Sequence, residues 1–178
     1  MPSMKFEDVE IPGCKIIYPE KNEDERGYFA RTFCHNQFAE ENLNTEWVQS
    51  NTSFNKKAGT TRGMHLQLHP FPEIKLIRCT RGSAYDVLLD ARKSSKTFGK
   101  WVSVEISANN SISIYVPEGV AHGYQTLEDN TELSYLHSVP FKSELSTGFS
   151  IFDPSLSISW PLEVSVISQK DLNWQNFK

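Results

Sequence analysis

Residues 111–123 read Ser-Ile-Ser-Ile-Tyr-Val-Pro-Glu-Gly-Val-Ala-His-Gly. The first six alternate, so Ile112, Ile114 and Val116 fall on one face of an extended chain. Pro117 and Gly119 then break the pattern in a turn, which delivers His122 to the start of a further strand. The same alternation recurs on either side. Trp101–Ile106 places Val102, Val104 and Ile106 on one face, and 85–90 and 131–136 also read as strands. Glycine and proline punctuate the whole chain between short segments rich in β-branched and aromatic residues, the pattern of a sandwich or barrel. Roughly a dozen strands are expected, arranged as a double-sheet jelly roll. Short helices are expected near 36–42 and 170–176.

The chain has 178 residues, 38% hydrophobic and 22% charged, which fits one globular domain spanning 1–178. Its formal net charge of −4 argues against a nucleic-acid partner, which needs a basic face. Cys14, Cys34 and Cys79 form neither a CxxC pair nor a zinc pattern and read as free thiols. There is no signal-like apolar run at the N-terminus and no stretch of membrane-spanning length, so a cytoplasmic protein with no membrane partner is expected.

Three polar clusters interrupt otherwise apolar strand sequence. In Arg62-Gly63-Met64-His65-Leu66-Gln67, His65 and Gln67 share a face. In Ile74-Lys75-Leu76-Ile77-Arg78, Lys75 and Ile77 share one face, and an inward lysine is costly unless paired or used. The third cluster is the turn that presents His122. Each residue alone has a plainer explanation: a satisfied strand histidine, a solvated lysine, a core tyrosine at Tyr135, and a turn aspartate at Asp153 before Pro154. Taken together they suggest a site.

Pro117-x-Gly119-x-x-His122 resembles the second motif of cupins, which are jelly rolls. The first motif departs from that pattern: Gln67 stands where a second metal-binding histidine would be, and Lys75 stands in place of the metal-binding glutamate. A cation at that position repels a metal, so the reading is a cupin that keeps its pocket without a metal or other cofactor. The resemblance then narrows. From about Asp24 to Asp171 the chain is similar to the dTDP-4-dehydrorhamnose 3,5-epimerase family. The matching pieces, in order, are 24–29 (Asp-Glu-Arg-Gly-Tyr-Phe), 48–51 (Val-Gln-Ser-Asn), 62–65, 75–78, 98–102 (Phe-Gly-Lys-Trp-Val), 117–123, and Asp153-Pro154 ahead of Trp160-Pro161.

The resemblance implies an isomerase acting on a nucleotide-diphospho-4-keto-6-deoxysugar, in deoxysugar biosynthesis such as that of lipopolysaccharide or antibiotic sugars. The keto group acidifies the protons on C3 and C5, so a base can make an enolate and an acid on the opposite face can complete the inversion. The resemblance implies His65 as base oriented by Asp153, Tyr135 as acid, and Lys75 at the developing oxyanion with His122 nearby. Arg62 would hold the diphosphate, and Gln49 and Asn51 would contact sugar or phosphate. Arg26 and Phe29 would reach the site of a partner subunit, which implies a homodimer. The surroundings depart from the family at Arg31, Thr52, Leu66 and 139–141 (Val-Pro-Phe), which bears on the nucleotide and on whether C3, C5 or both invert. Alternatives on the same fold are a different keto-sugar isomerase and a metal-dependent cupin enzyme using His65, Gln67 and His122.

Overall fold

A computed structural model describes residues 3–177; Met1, Pro2 and Lys178, the ends of the expected domain, lie outside the described residues. Its strands are β1 (Met4–Asp8), β2 (Lys15–Pro19), β3 (Lys21–Asp24), β4 (Gly27–Ala30), β5 (Gln49–Asn55), β6 (Thr61–Gln67), β7 (Lys75–Arg81), β8 (Ser83–Asp90), β9 (Trp101–Ser107), β10 (Ser113–Val116), β11 (Val120–Thr126), β12 (Thr131–His137) and β13 (Ser146–Gly148). Helices α1 (His35–Glu40) and α2 (Gln169–Leu172) are short. Six strands form one sheet in the order β1-β2-β10-β7-β12-β5, five form a second in the order β13-β6-β11-β8-β9, and β3 and β4 make a separate hairpin. The pairings within each sheet are antiparallel. This is the expected all-β sandwich.

The alternation read from the sequence sorts side chains as expected. Val102, Val104 and Ile106 of β9 meet Ile112, Ile114 and Val116 in the core between the sheets, with Ile77, Leu88 and Leu133. The opposite face of the first sheet is covered by α1, where Phe38 packs on Ile17, Leu76 and Tyr115. The opposite face of the second sheet is covered by the C-terminal segment, where Ile151 and Leu156 pack on Met64, Leu66 and Val87. Burying both outer faces removes a large apolar area from water at about 25 cal/mol per Å².

Two elements differ from expectation for a visible local reason. The strand expected from Ser111 begins at Ser113, because the Asn110 side chain accepts from the backbone N–H groups of Ser107 and Ile112 and folds the chain into a turn, with Ser111 at φ 57°. The C-terminal helix is shorter and starts earlier than expected, because Ser168 caps it by accepting from Asp171 N at 3.0 Å. The cysteines are free, and burial pushes the Cys14 and Cys79 thiols up to about 12 and about 11. Among the described residues no helix is long and apolar enough to cross a membrane.

Strands β6 and β11 approach closely at a register shift between His122 and Tyr124. Bulges of this kind re-aim side chains near functional sites. Only glycine fits there. A Cβ on Gly63, itself at φ 131°, would stand 2.5 Å from Gly123 Cα, and one on Gly123 would stand 2.9 Å from the Arg62 carbonyl. Gly123→Ala is therefore expected to cost about 1–3 kcal/mol through overpacking, read as a lower urea midpoint. An unchanged midpoint would show that β6 and β11 can spread at no cost.

Candidate active site

The inward faces of five strands change from apolar to polar toward one end of the sandwich. On β12 the inward series runs Leu133, Tyr135, His137; on β7 it runs Cys79, Ile77, Lys75, and the two are in register. Asn51 and Ser53 of β5 join them from the same sheet. From the facing sheet come His65 of β6 and His122 and Tyr124 of β11. Met64 and Leu66 are committed to the outer core, so the strand period turns His65 inward. These groups line a cavity of about 390 Å³, within the size range of a small-molecule site.

His65 Nε2–H donates to Asp171 Oδ1 at 2.6 Å. A carboxylate can only accept, so the proton sits on Nε2 and the Nδ1 lone pair is left for chemistry. Trp174 Nε1 donates to the same oxygen at 3.1 Å, and Gly63 N donates to Oδ2 at 3.4 Å. Burial raises the Asp171 pKa, but the hydrogen bond and charge of His65 outweigh it and hold the carboxyl below its usual value. Asp171 is therefore ionised beside the imidazole.

The partner expected from the sequence, Asp153, has a different task. Its oxygens accept from Ser155 N at 2.7 Å and from Phe177 N at 2.5 Å, fixing the Asp-Pro turn to the backbone at Phe177. The carboxylate that meets His65 is Asp171, where the sequence led us to expect Asp153. The available signal was Ser168-x-x-Asp171, a capping pattern that starts a helix, with Trp174 one turn further on.

Tyr135 lies across the cavity on the opposite sheet. Its hydroxyl is 3.2 Å from Ser53 Oγ, which is 2.9 Å from the Tyr124 hydroxyl, which donates to Asn55 Oδ1 at 3.3 Å. Arg62 Nε donates to that same Asn55 oxygen at 2.9 Å. The direction of the chain follows from its end: Tyr124 spends its proton on Asn55, Ser53 donates to Tyr124, and Tyr135 is left as donor to Ser53. Burial, with the neighbouring Tyr124 second, pushes the Tyr135 pKa well above the usual phenol value. It remains a phenol throughout the neutral range.

Lys75 is buried and its Nζ meets Glu73 Oε1 at 2.8 Å. The other Glu73 oxygen accepts from His137 Nδ1 at 3.0 Å. Burial raises the Glu73 pKa, but the His137 and Lys75 hydrogen bonds and charges outweigh it and bring it down to about 2. His122 Nε2–H donates to Asp86 Oδ2 at 2.7 Å, and Asp86 is fully buried, which raises its pKa. Arg62 and Lys170 stand exposed at the cavity mouth, beside Asn51 and Phe141.

Of the residues expected to act, His65, Tyr135, Lys75, Arg62, Asn51 and His122 therefore converge on one cavity. Gln49 lies at its edge, its Oε1 accepting from Phe141 N at 3.0 Å. Arg26 and Phe29 sit on the separate hairpin, exposed, with Arg26 bonded to Asp24. They do not line this chain's own cavity. Gln67 turns its amide to the carbonyls of Phe71 and Pro140 and accepts from Lys142 N. Among the described residues no cluster of three or more His, Cys, Asp or Glu side chains is placed to hold a metal ion.

The profile of dTDP-4-dehydrorhamnose 3,5-epimerase matches residues 8–178. The chain belongs to this epimerase family. A dTDP-4-dehydrorhamnose 3,5-epimerase from Sinorhizobium fredii is 42% identical over 169 residues, covering 94% of this chain and 87% of the relative. The crystal structure of the epimerase from Elizabethkingia anophelis superposes with a TM-score of 0.93 at 37% identity, covering 98% of this chain and 96% of that one. The dTDP-6-deoxy-D-glucose-3,5-epimerase of Legionella pneumophila, solved in complex with dTDP-4-keto-L-rhamnose, has a TM-score of 0.92 at 32% identity, covering 98% and 93%. The family is that of an isomerase, as the resemblance implied. Sequence reasoning missed Asp171, Glu73, His137, Ser53 and Tyr124 of this epimerase-family cavity. Glu73 lies in the loop before β7, where no local pattern marks it. His137, Ser53 and Tyr124 look like ordinary strand residues until the two sheets pack face to face.

Proposed function

We propose that this chain inverts the carbons flanking the keto group of a dTDP-linked 4-keto-6-deoxyhexose. One observation carries the reading: a histidine on one sheet, paired with a carboxylate of α2, faces a protonated tyrosine on the other. Inversion needs a proton to leave one face of a carbon and another to arrive on the opposite face. His65 Nδ1 takes the proton, and Asp171 stabilises the imidazolium that results. The electrons move onto the keto oxygen, where the Lys75 ammonium faces the developing negative charge. Tyr135 returns a proton from the opposite wall.

The cations at the mouth suit the rest of such a substrate. Arg62 offers a fork for diphosphate oxygens, and Lys170 adds a second charge. Phe141 offers an aromatic face for the base. The thymidine nucleotide is favoured by the names of the relatives and by the ligand of the Legionella enzyme. Arg26 and Phe29 are read as contributions to a second copy's cavity, in a twofold dimer.

Incubation with dTDP-4-keto-6-deoxyglucose in D₂O tests the reading. Deuterium at both C3 and C5, seen by NMR, is the expected result. Deuterium at one carbon would restrict the reaction to that centre. No exchange with this substrate or its CDP and GDP counterparts would overturn the reading.

A further inference from the structure

Glu73 and His137 have no part in the reaction as derived above, yet both are buried in the cavity wall. Side chains of Glu73, Lys75 and His137 are each less than a tenth exposed. Glu73 uses one oxygen for the Lys75 ammonium at 2.8 Å and the other for His137 Nδ1 at 3.0 Å. The nitrogen that donates to Glu73 leaves His137 Nε2 to accept from the Asn51 amide at 3.2 Å. Tyr135 packs beside the same imidazole, its ring 21° from parallel with centroids 6.1 Å apart. A single carboxylate thus ties Lys75 to His137, and through His137 to Asn51 and the Tyr135 wall.

We propose that Glu73 and His137 form a second histidine–carboxylate pair that positions Lys75 and keeps its ammonium charged. The two members are positioning residues: they act through Lys75, as Asp171 acts through His65. A lysine taken out of water loses the solvation of its charged form, and an opposite charge in contact restores the preference. His137 completes the device by holding the carboxylate in one rotamer, so the ammonium is aimed at the cavity without searching for its partner. The charged and titratable groups facing Lys75 are Glu73 from the preceding loop and His137 and Tyr135 from β12. Asp86 from β8 acts on it through space, and His122 and His65 face it from the opposite sheet. Glu73 is the carboxylate in contact.

The inference rests on the proposed reaction only where rates are read, so the test has an arm without substrate. Lys75 is titrated by NMR of lysine-labelled protein, with Lys75→Arg to identify its signal, in wild type and in Glu73→Gln. The glutamine keeps the shape and an acceptor oxygen but removes the charge. The Lys75 titration is expected to fall by about one pH unit or more, and the alkaline limb of kcat/KM to move down with it. His137→Leu is expected to lower kcat about tenfold with KM changed less than threefold. His137→Asn, whose amide N–H can replace Nδ1–H, is expected to recover most of that loss. Melting curves confirm that each variant folds. An unmoved Lys75 titration in Glu73→Gln would overturn the proposal, as would His137→Asn being as slow as His137→Leu. A wild-type enzyme inert toward every keto sugar would instead overturn the reaction, leaving the lysine titration to decide this point alone.

Discussion

Asp171→Asn is expected to slow deuterium entry at the substrate carbons about 10²–10⁴-fold, the usual contribution of a positioned acid or base. His65→Ala should lose at least as much. The geometry makes the aspartate effect specific. Three donors converge on Asp171, with His65 and Trp174 on one oxygen and Gly63 on the other. An asparagine that keeps its oxygen toward His65 and Trp174 preserves the tautomer but loses the negative charge that stabilises the imidazolium. An asparagine turned the other way sets N–H against N–H, forces the His65 proton onto Nδ1 and removes the lone pair that must take the substrate proton. Both orientations slow the reaction. KM should change little, because Asp171 acts through His65 and does not need the substrate. Asp153→Asn is the informative control. Its contacts to Ser155 and Phe177 are structural, so it should lower the melting temperature while exchange stays within a few-fold of wild type. Exchange lost in Asp153→Asn and kept in Asp171→Asn would return the role to Asp153.

The contrast between those two aspartates shows where sequence reasoning stops. The sandwich was readable because a strand's period of two converts directly into faces: β9, β10 and β12 were each visible as alternating runs. His65 and Lys75 were readable as polar residues inside otherwise apolar strand sequence, and the family resemblance then supplied their expected roles and that of Tyr135. Asp171 was not readable in the same way. It lies 106 residues from His65, on a helix of one turn, and the contact exists only because the C-terminal segment folds across the outer face of the second sheet. Asp153 sits in an Asp-Pro turn whose local chemistry already accounts for an acid at that position. Glu73 and His137 were hidden for a related reason. Glu73 precedes its strand and His137 ends one, and their meaning depends on the register that sets His137 opposite Lys75. Local pattern fixes which face a side chain takes. Which partner it finds there depends on pairings over long sequence separations.

Tyr135→Phe is expected to separate two events that the wild-type enzyme couples. Proton removal by His65 does not need the tyrosine hydroxyl, so deuterium entry should fall less than tenfold. Inversion does need a donor on the wall opposite His65, so formation of the inverted product should fall about 10²-fold or more. The wall assignment supports this asymmetry: His65 belongs to the second sheet, Tyr135 to the first, and the cavity lies between them. With phenylalanine in place, the enolate is reprotonated chiefly from the His65 side, which returns the starting configuration with solvent deuterium in it. The hydroxyl chain explains why Tyr135 suits the task. Arg62 fixes Asn55, Asn55 fixes Tyr124, and Tyr124 fixes Ser53, so the Tyr135 proton rests on a hydroxyl that is already held and turns from Ser53 to the substrate carbon when it is needed. Its raised pKa ensures that the proton is present at neutral pH and is drawn off only when the strongly basic enolate forms. The experiment compares deuterium content and configuration in the same sample by NMR. Washed-in deuterium in unchanged configuration is the expected signature. Equal loss of exchange and inversion would mean that Tyr135 helps to form the enolate, and unchanged inversion would mean that the second proton comes from another group on that wall.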